Sequence, residues 1–197
     1  MPSNATTTLY SYVVNGGKQN HNGLEASIKY TAYQSTKSFF TSIKPFANFT
    51  YSDFKYGNNF TYQTVGKSLV IITKDSAYTT DFSNQAVAGV AKFVGNFGVD
   101  ITMKYGLYAN FNYNYKDKMP ITSDGVYFAD SYNLLNGKIG INQNLSKHFN
   151  MDAAVGVQNI TSTKYYLMVF VNQLPDAYIP APTKATYFAS VNIKYNF

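Results

Sequence analysis

The sequence predicts an all-β protein, an antiparallel meander of about eight strands whose apolar faces meet lipid. Three observations predict this class. Apolar and polar side chains alternate along most of the chain, which is the period of a strand with one apolar face. Aromatic residues make up 17% of the 197 residues and charged residues only 13%, whereas soluble domains carry about 25% charged residues. Short and long connections alternate between the strands, which is typical of transmembrane barrels.

Eight segments are predicted as strands, and most are as long as the roughly 9–11 residues that cross a bilayer. They cover residues 7–14, 24–32, 43–51, 93–105, 107–116, 133–144, 149–158 and 187–197. The first segment is the shortest. From the second onward the apolar faces are Leu24, Ala26 and Ile28; Ile43, Ala47, Phe49 and Tyr51; Phe93, Phe97, Val99 and Ile101; Leu107, Ala109, Phe111 and Tyr113; Leu135, Ile139 and Ile141; Phe149, Met151, Ala153 and Val155; and Tyr187, Ala189, Val191 and Ile193.

The connections give the two ends of the strands different surroundings. Short turns are predicted at residues 35–40, 105–106 and 146–148, and long loops at residues 55–91, 117–130 and 160–184. Outer-membrane barrels have short periplasmic turns and long external loops, so the three long loops are expected outside the cell. No stretch of about 18 consecutive apolar residues exists, and no transmembrane helix is predicted.

Composition excludes several other function classes. The chain has no cysteine and only two histidines, His21 and His148, which excludes thiolate chemistry and histidine-rich metal sites. No nucleophile stands in a motif with a base, so neither an enzyme, a cofactor nor a metal site is predicted. The net charge of +6 comes from singly scattered lysines, and arginine is absent. Because arginine suits phosphate contacts best, no nucleic-acid partner is expected.

The apolar faces could pack against each other in a soluble sandwich or face lipid in a barrel. Tyrosine and phenylalanine concentrate at strand ends, for example at Tyr105, Tyr115 and Tyr187, where barrels place aromatic girdles at the membrane interfaces. The polar faces carry mainly Asn, Thr, Ser and Gly, whereas a solvated sandwich face usually carries more Lys and Glu. The membrane interpretation is therefore favoured over the sandwich.

The chain ends on an aromatic residue preceded by alternating apolar ones. Val191, Ile193, Tyr195 and Phe197 occupy these positions, and the pattern resembles the terminal strand signal of Gram-negative outer-membrane proteins. The resemblance implies recognition by the barrel-assembly machinery through strand addition at a sheet edge. The implied location is the outer membrane of a Gram-negative bacterium, with outer-membrane lipid around the apolar faces.

Several motifs resemble those of TonB-dependent outer-membrane receptors, and they occur in the order of that family. They are Asn15-Gly-Gly with Asn22-Gly-Leu-Glu25, Pro45-Phe-Ala-Asn-Phe-Thr-Tyr51, Val87-Ala-Gly-Val90, Val155-Gly-Val-Gln-Asn159 and Tyr178-Ile-Pro-Ala-Pro182. Two departures are Ala91, where the family usually has proline, and the missing arginine after the last motif. The resemblance identifies residues 1–197 as the C-terminal β-barrel segment of such a receptor.

The resemblance also implies a function. Complete receptors of this family form a 22-stranded barrel with an N-terminal plug, so these strands would be part of a larger barrel, and no plug is visible in this sequence. The implied role is uptake of a scarce nutrient, with an iron–siderophore complex as the expected ligand. The TonB complex would act only through the plug. The alternative is a self-contained eight-stranded outer-membrane barrel with a structural, adhesive or lipid-binding role.

The external loops hold the candidate contacts to a small-molecule ligand. We expect Tyr127, Phe128, Tyr166 and Tyr178 to contribute them, because exposed rings could contact an apolar chelate. The apolar tract at residues 165–171 has two interpretations. It could form an aromatic ligand-contacting surface, or it could be a strand that extends the barrel wall above the membrane, and the second is favoured.

Overall fold

The computed structural model describes residues 17–67, 75–174 and 177–196, which contain fourteen β-strands and one 3-10 turn. The long strands are β1 (Gln19–Lys29), β3 (Phe40–Tyr56), β6 (Phe93–Met103), β7 (Leu107–Lys116), β10 (Tyr132–Asn144), β11 (Phe149–Gln158) and β14 (Thr186–Tyr195). The short strands are β2 (Tyr33–Gln34), β4 (Thr61–Lys67), β5 (Asp75–Asp81), β8 (Met119–Pro120), β9 (Phe128–Ala129), β12 (Tyr166–Val169) and β13 (Tyr178–Pro180). None of the described residues belongs to a helix long and apolar enough to cross a membrane.

The long strands form one antiparallel sheet in the order β1-β3-β6-β7-β10-β11-β14, and β2 pairs with the start of β3. Each long strand pairs with the next long strand along the chain, so the sheet is a meander. In the described part of the chain the sheet is open, with β1 and β14 at its edges. Because a closed barrel leaves no edge, this sheet has the form of a segment of a larger barrel.

The structure confirms the predicted strands from residue 24 onward, while the strand predicted at residues 7–14 lies outside the described residues. β3 runs beyond its predicted end because Tyr56 still pairs with Gln19 and Lys55 with Ala86. β1 begins before its predicted start, since it pairs with this extension of β3. The Asn22-Gly23 pair, predicted at the end of a connection, therefore lies inside a strand.

The pairing register keeps one apolar face across the whole sheet. One row across it consists of Ile28, Ala47, Phe97, Tyr113 and Leu135. The row of the opposite face next to it contains Asn48, Asn96 and Asn114. Ile28 is 64% exposed and Val191 68%, so large apolar side chains of the described strands point away from the protein instead of packing on a second sheet. This is the arrangement of a lipid-facing wall, not of a sandwich.

Large rings on the polar face cover glycines of the neighbouring strand. A Cβ atom at Gly140 would lie 2.5 Å from the ring of Tyr108, and one at Gly156 would lie 2.3 Å from the ring of Phe188. A side chain at either glycine would displace the ring that lies against the backbone, and each ring covers a strand that has no side chain at that point. Tyr108 and Phe188, unusual residues on a polar face, thus lie against the neighbouring strand, and Phe188 remains 40% exposed.

The turn between β6 and β7 is the tightest connection in the described sheet. Tyr105 has a φ of 62° and Gly106 a φ of 72°, which closes the chain within residues Lys104–Gly106. A Cβ atom at Gly106 would lie 1.9 Å from the carbonyl oxygen of Asn142. Only glycine fits this position, both because of its left-handed backbone and because of this close approach.

Candidate functional site

The long connections all leave the same end of the sheet, as the alternation of short and long loops predicts. They join β3 to β6 (residues 57–92), β7 to β10 (117–131) and β11 to β14 (159–185), whereas the other end has the shorter connections 30–39, 104–106 and 145–148. We call the three long connections the loop layer. They lie on the side that an outer-membrane barrel turns toward the medium.

Three hairpins lie in the described part of the loop layer. β4 pairs with β5, β8 pairs with β9, and β12 pairs with β13 with a bulge between Tyr166 and Met168. In the described residues β12 has no partner in the large sheet, so the expectation that residues 165–171 extend the barrel wall is wrong. The chain instead turns back at Asn172, which has a φ of 60°, and folds over the other loops.

The loop layer has an apolar core of its own. Its buried members are Ala91, Met119, Ile121, Ala129, Tyr166 and Ala177, with Tyr132 and Val169 packed against them. All three long connections contribute to this core. The packing of each loop therefore depends on the other two.

Hydrogen bonds join the connections to one another. Asn172 donates its backbone N–H to the carbonyl of Ile121 (2.8 Å) and accepts the N–H of Ser123 at its side-chain oxygen (2.8 Å). Its amide Nδ2 also donates to the Ser123 hydroxyl (3.0 Å). From the first connection, the N–H of Gly89 donates to the carbonyl of Pro120 (2.7 Å). Because these bonds link all three loops, the layer is one unit and not three independent loops.

Two of the motifs noted in the sequence place a left-handed residue where the loop layer meets the sheet. Gly89 has a φ of 84°, and a Cβ atom there would lie 2.8 Å from the Val171 side chain. Asn159 has a φ of 54° and is buried. Its side chain accepts the N–H of Thr163 and donates to the carbonyl of the same residue, both at 2.9 Å. These motif residues shape the chain where it crosses between sheet and loops.

A tyrosine cluster connects the sheet to the β12–β13 hairpin. The ring of Tyr132 lies 5.4 Å from that of Tyr165 and 5.2 Å, edge to face, from that of Tyr166. The Tyr166 ring lies 6.1 Å from that of Tyr178 and 5.3 Å from the Lys116 ammonium. Such ring pairs and cation–π contacts each contribute about 0.5–1.5 kcal/mol. Lys116 pairs with Tyr132 in register at the loop end of the polar face, so the cluster lies at the mouth of the wall.

The structure exposes three of the four predicted ligand residues and buries the fourth. Tyr127, Phe128 and Tyr178 are exposed on the β8–β9 and β12–β13 hairpins, and the Lys118 ammonium lies 5.3 Å from the ring of Phe128. Tyr166, expected at a ligand surface, is only 8% exposed and belongs to the core. No local pattern distinguishes Tyr166 from the exposed tyrosines, because its burial depends on two other loops.

Burial also determines the chemistry of Tyr166. It raises the pKa of the Tyr166 phenol to about 12. The hydroxyl oxygen is buried and has no hydrogen-bond partner within the described ranges. Tyr166 is therefore a neutral packing residue at physiological pH. The sequence analysis did not identify its neighbours Lys116, Tyr132 and Tyr165. The strand register could have indicated two of them, because Lys116 is the last residue of β7 and Tyr132 is the first residue of the adjacent strand β10.

Amide side chains form a network on the polar face below the loop layer. Asn112 accepts hydrogen bonds from Asn114 (3.0 Å) and Asn136 (2.9 Å), and Asn136 accepts the backbone N–H of Asn159 (2.9 Å). The ammonium of Lys29 pairs with Asp100. This wall is polar with few charges, as expected for a face that meets water or another polar surface rather than lipid.

The remaining predicted sites occupy the sheet edge and the loops. Val191, Ile193 and Tyr195 lie on the apolar face of the edge strand β14, and Phe197 lies outside the described residues. Within residues 17–67, 75–174 and 177–196, no group of three or more histidine, cysteine, aspartate or glutamate side chains could hold a metal ion.

These features define an antiparallel wall with one apolar and one polar face and a structured loop layer at one end, and comparison with known proteins names the class. The family described as TonB dependent receptor-like, beta-barrel, matches residues 1–160. The chain belongs to this family. Its members are receptors and transporters and not enzymes, which agrees with the absence of a catalytic motif in the sequence.

A solved structure shares the fold. The siderophore receptor PiuA from Acinetobacter baumannii matches with a TM-score of 0.65 at 16% sequence identity, over 90% of this chain and 22% of that chain. The chain thus spans about a fifth of the length of the receptor that it matches. No curated protein matches the sequence significantly.

Proposed function

We propose that the chain supplies part of the wall and the external ligand-capture loops of a TonB-dependent receptor in the outer membrane of a Gram-negative bacterium. The family match over residues 1–160 supports this assignment. The receptor takes up a scarce nutrient, and we propose an iron–siderophore complex as that nutrient. The TonB complex acts on such a receptor through its plug domain and not through these strands.

One observation carries the ligand proposal. The loop layer has its own core, so it holds the exposed rings of Tyr127, Phe128 and Tyr178 in place at the mouth of the wall. Lys118, which lies against Phe128, adds a positive charge to this surface. Fixed rings stack on the apolar parts of a chelate, and lysine attracts a chelate with negative charge. The siderophore receptor with the same fold supports the same ligand class.

The proposal extends to assembly of the wall. We propose that the barrel-assembly machinery recognises the alternate residues Val191, Ile193, Tyr195 and Phe197 by pairing with the edge strand. The edge position of β14 supports this mode, because its outer backbone groups are available for strand addition in the described sheet.

The ligand proposal is tested by iron uptake in intact cells. The gene product that contains these residues is expressed under iron limitation, and uptake of radioactive iron bound to siderophores is measured below saturation. We expect Tyr127→Ala with Tyr178→Ala to reduce uptake about tenfold, the equivalent of about 1.4 kcal/mol of binding free energy. Tyr105→Ala, an exposed tyrosine at the opposite end of the sheet, is the matched control and should keep full uptake. Equal uptake by all variants, at equal surface amounts, would refute the ligand site.

A further inference from the structure

The short turn between β10 and β11 takes up backbone donors at one end of the sheet. The Oγ of Ser146 accepts the backbone N–H of His148 and that of Phe149, both at 3.2 Å. A serine turn of this kind competes with a strand ladder for the same backbone groups. The N–H of His148 therefore points into its own turn, although the edge strand β14 runs alongside β11 up to this point.

The ring of His148 replaces the missing backbone donor. In a narrow antiparallel pair, two residues exchange two backbone hydrogen bonds. Asn196 donates its N–H to the carbonyl of His148 (2.8 Å), which is one of the two. In place of the second, the ring Nδ1 of His148 donates to the carbonyl oxygen of Asn196 (3.0 Å). Because a carbonyl oxygen only accepts, Nδ1 carries the proton.

The same ring packs on the end of β14. It is stacked on the ring of Tyr195, with 5.8 Å between the ring centroids and 29° between the planes. The ring of Tyr195 also lies 5.0 Å from that of Phe149. Paired rings of this kind favour defined mutual positions. His148 thus holds the end of β14 through a backbone carbonyl and through a side chain.

These contacts determine which residues of β14 face the open edge of the described sheet. Narrow and wide pairs alternate along an antiparallel ladder, and His148 with Asn196 takes the narrow position. The backbone groups of Val191 and Ile193, an odd number of residues away, therefore point away from β11. A slip of one residue would bring Asn192 to this edge and would move every side chain of β14 to the other face.

We propose that His148 is a positioning residue that fixes the register of β14 through its Nδ1–H, and so sets the edge that β14 offers for strand addition. The consequence for assembly rests on the proposed function, in which the barrel-assembly machinery pairs with β14. The contact itself does not depend on the transported ligand. Histidine suits this position because it combines an N–H close to the backbone with a flat ring.

Hydrogen–deuterium exchange tests the contact. The gene product that contains these residues is purified in mild detergent, and exchange of the Asn196 amide is measured by mass spectrometry. His148→Ala should exchange about tenfold faster, because the end of the ladder loses a hydrogen bond and a ring contact. His148→Asn keeps an N–H at a similar distance from the backbone and should stay within about twofold of the wild type.

Two further variants separate the hydrogen bond from other effects. His148→Phe keeps a ring beside Tyr195 but has no donor, so the Asn196 amide should exchange as fast as in His148→Ala. His21→Ala is the matched control, because His21 is also exposed and stacked on a ring, that of Phe54 at 4.4 Å, but lies on the opposite edge strand β1. It should leave exchange of Asn196 unchanged. Wild-type exchange in His148→Ala or in His148→Phe would overturn the inference.

The position of the ring proton is a second readout. Nitrogen NMR of the neutral His148 ring should show the proton on Nδ1 and none on Nε2, because the hydrogen bond to Asn196 selects this tautomer. His148→Phe removes the signal and so assigns it. A proton on Nε2 of the neutral ring would overturn the inference.

The rate of assembly tests the consequence in cells. The fraction of newly made protein that reaches the folded form in the outer membrane is followed over time. His148→Ala and His148→Phe should assemble about fivefold more slowly, while His148→Asn and His21→Ala should keep the wild-type rate. Fast exchange of Asn196 with unchanged assembly would overturn the positioning role. A wild type that never enters the outer membrane would refute the proposed function, whereas exchange and the ring proton would still test the contact on the purified protein.

Discussion

The sheet and the loop layer are stabilised in different ways. In the sheet, backbone pairing joins every long strand to its neighbours, while large apolar side chains such as Ile28 and Val191 point outward. In the loop layer, Met119, Ile121 and Ala177 are almost fully buried. The sheet thus pairs its backbone with neighbouring strands and turns its apolar groups outward, as the proposed membrane location requires, whereas the loop layer has a packed apolar core like that of a water-soluble domain.

This difference determines where a substitution is costly. Removing methyl groups from the loop core leaves a cavity, because the surrounding loops cannot fully collapse. Removing them from the exposed apolar face of the sheet leaves no cavity, because these side chains are not enclosed by other parts of the described chain. The same apolar residue should therefore matter in one region and be nearly neutral in the other.

The largest expected effect concerns closure of the sheet. Because β1 and β14 are edges in the described part of the chain, the 197-residue chain refolded alone in detergent should not form a closed barrel. On an unheated gel it should run as the unfolded chain does, without the shift on boiling that closed barrels show. A compact, protease-resistant form that shifts on boiling would favour the self-contained barrel.

The second effect compares two isoleucines. Ile121→Ala should destabilise the loop layer by about 2–5 kcal/mol, because Ile121 lies in its core. About 2 kcal/mol corresponds to roughly thirtyfold faster hydrogen–deuterium exchange of residues 117–131. Ile28→Ala, on the exposed apolar face, is the matched control and should leave this exchange unchanged. Similar effects of both variants would contradict the distinction between the two regions.

The third effect lies at the boundary of the two regions. Asn159→Ala should cost about 2 kcal/mol, since it removes two side-chain hydrogen bonds to Thr163 and places alanine at a left-handed φ. Asn159→Gly loses the same hydrogen bonds but tolerates the backbone, so it should cost about 1 kcal/mol less. Protease sensitivity of the connection at residues 159–165 measures both. If glycine were no better than alanine, backbone conformation would not be the reason for asparagine there.

The smallest effect concerns Tyr166. Burial raises the pKa of its phenol to about 12 from the ordinary 10.0, so the folded state favours the neutral phenol. This preference contributes fully to the free energy of unfolding below pH 10. That contribution is lost as the pH rises through about 12. A tyrosinate absorbance titration of the wild type minus that of Tyr166→Phe should show a midpoint near 12. The variant should be as stable as the wild type at pH 7, because the buried hydroxyl has no partner in the described residues. A difference midpoint near 10 would contradict the burial of Tyr166.

The sheet could be predicted in detail because its signals are local. The alternation of apolar and polar residues in segments such as 149–158 assigns each side chain to a face of the sheet. The turn at Tyr105-Gly106 fixes where the chain reverses direction between β6 and β7. The extension of β3 to Tyr56 was not predicted, because it depends on pairing with residues that are remote in the sequence. Tyr56 pairs with Gln19, and Lys55 pairs with Ala86.

The candidate site was predictable only in outline. Its position in the long loops followed from their lengths, and the exposure of Tyr127 and Tyr178 agrees with their expected place at a surface. The burial of Tyr166 and its contact with Lys116 could not be predicted, since they join segments about 50 residues apart.

The sequence by itself determined the antiparallel strands, their apolar and polar faces and the end of the sheet that carries the long loops. These follow from the alternation of apolar and polar residues and from the lengths of the connections, both of which can be read along the chain without knowing any contact between distant segments. Only the tertiary structure decided which loop residues are buried and how Asn172 and Gly89 join the three connections. Those properties depend on contacts between distant segments, and a local sequence pattern does not indicate such contacts.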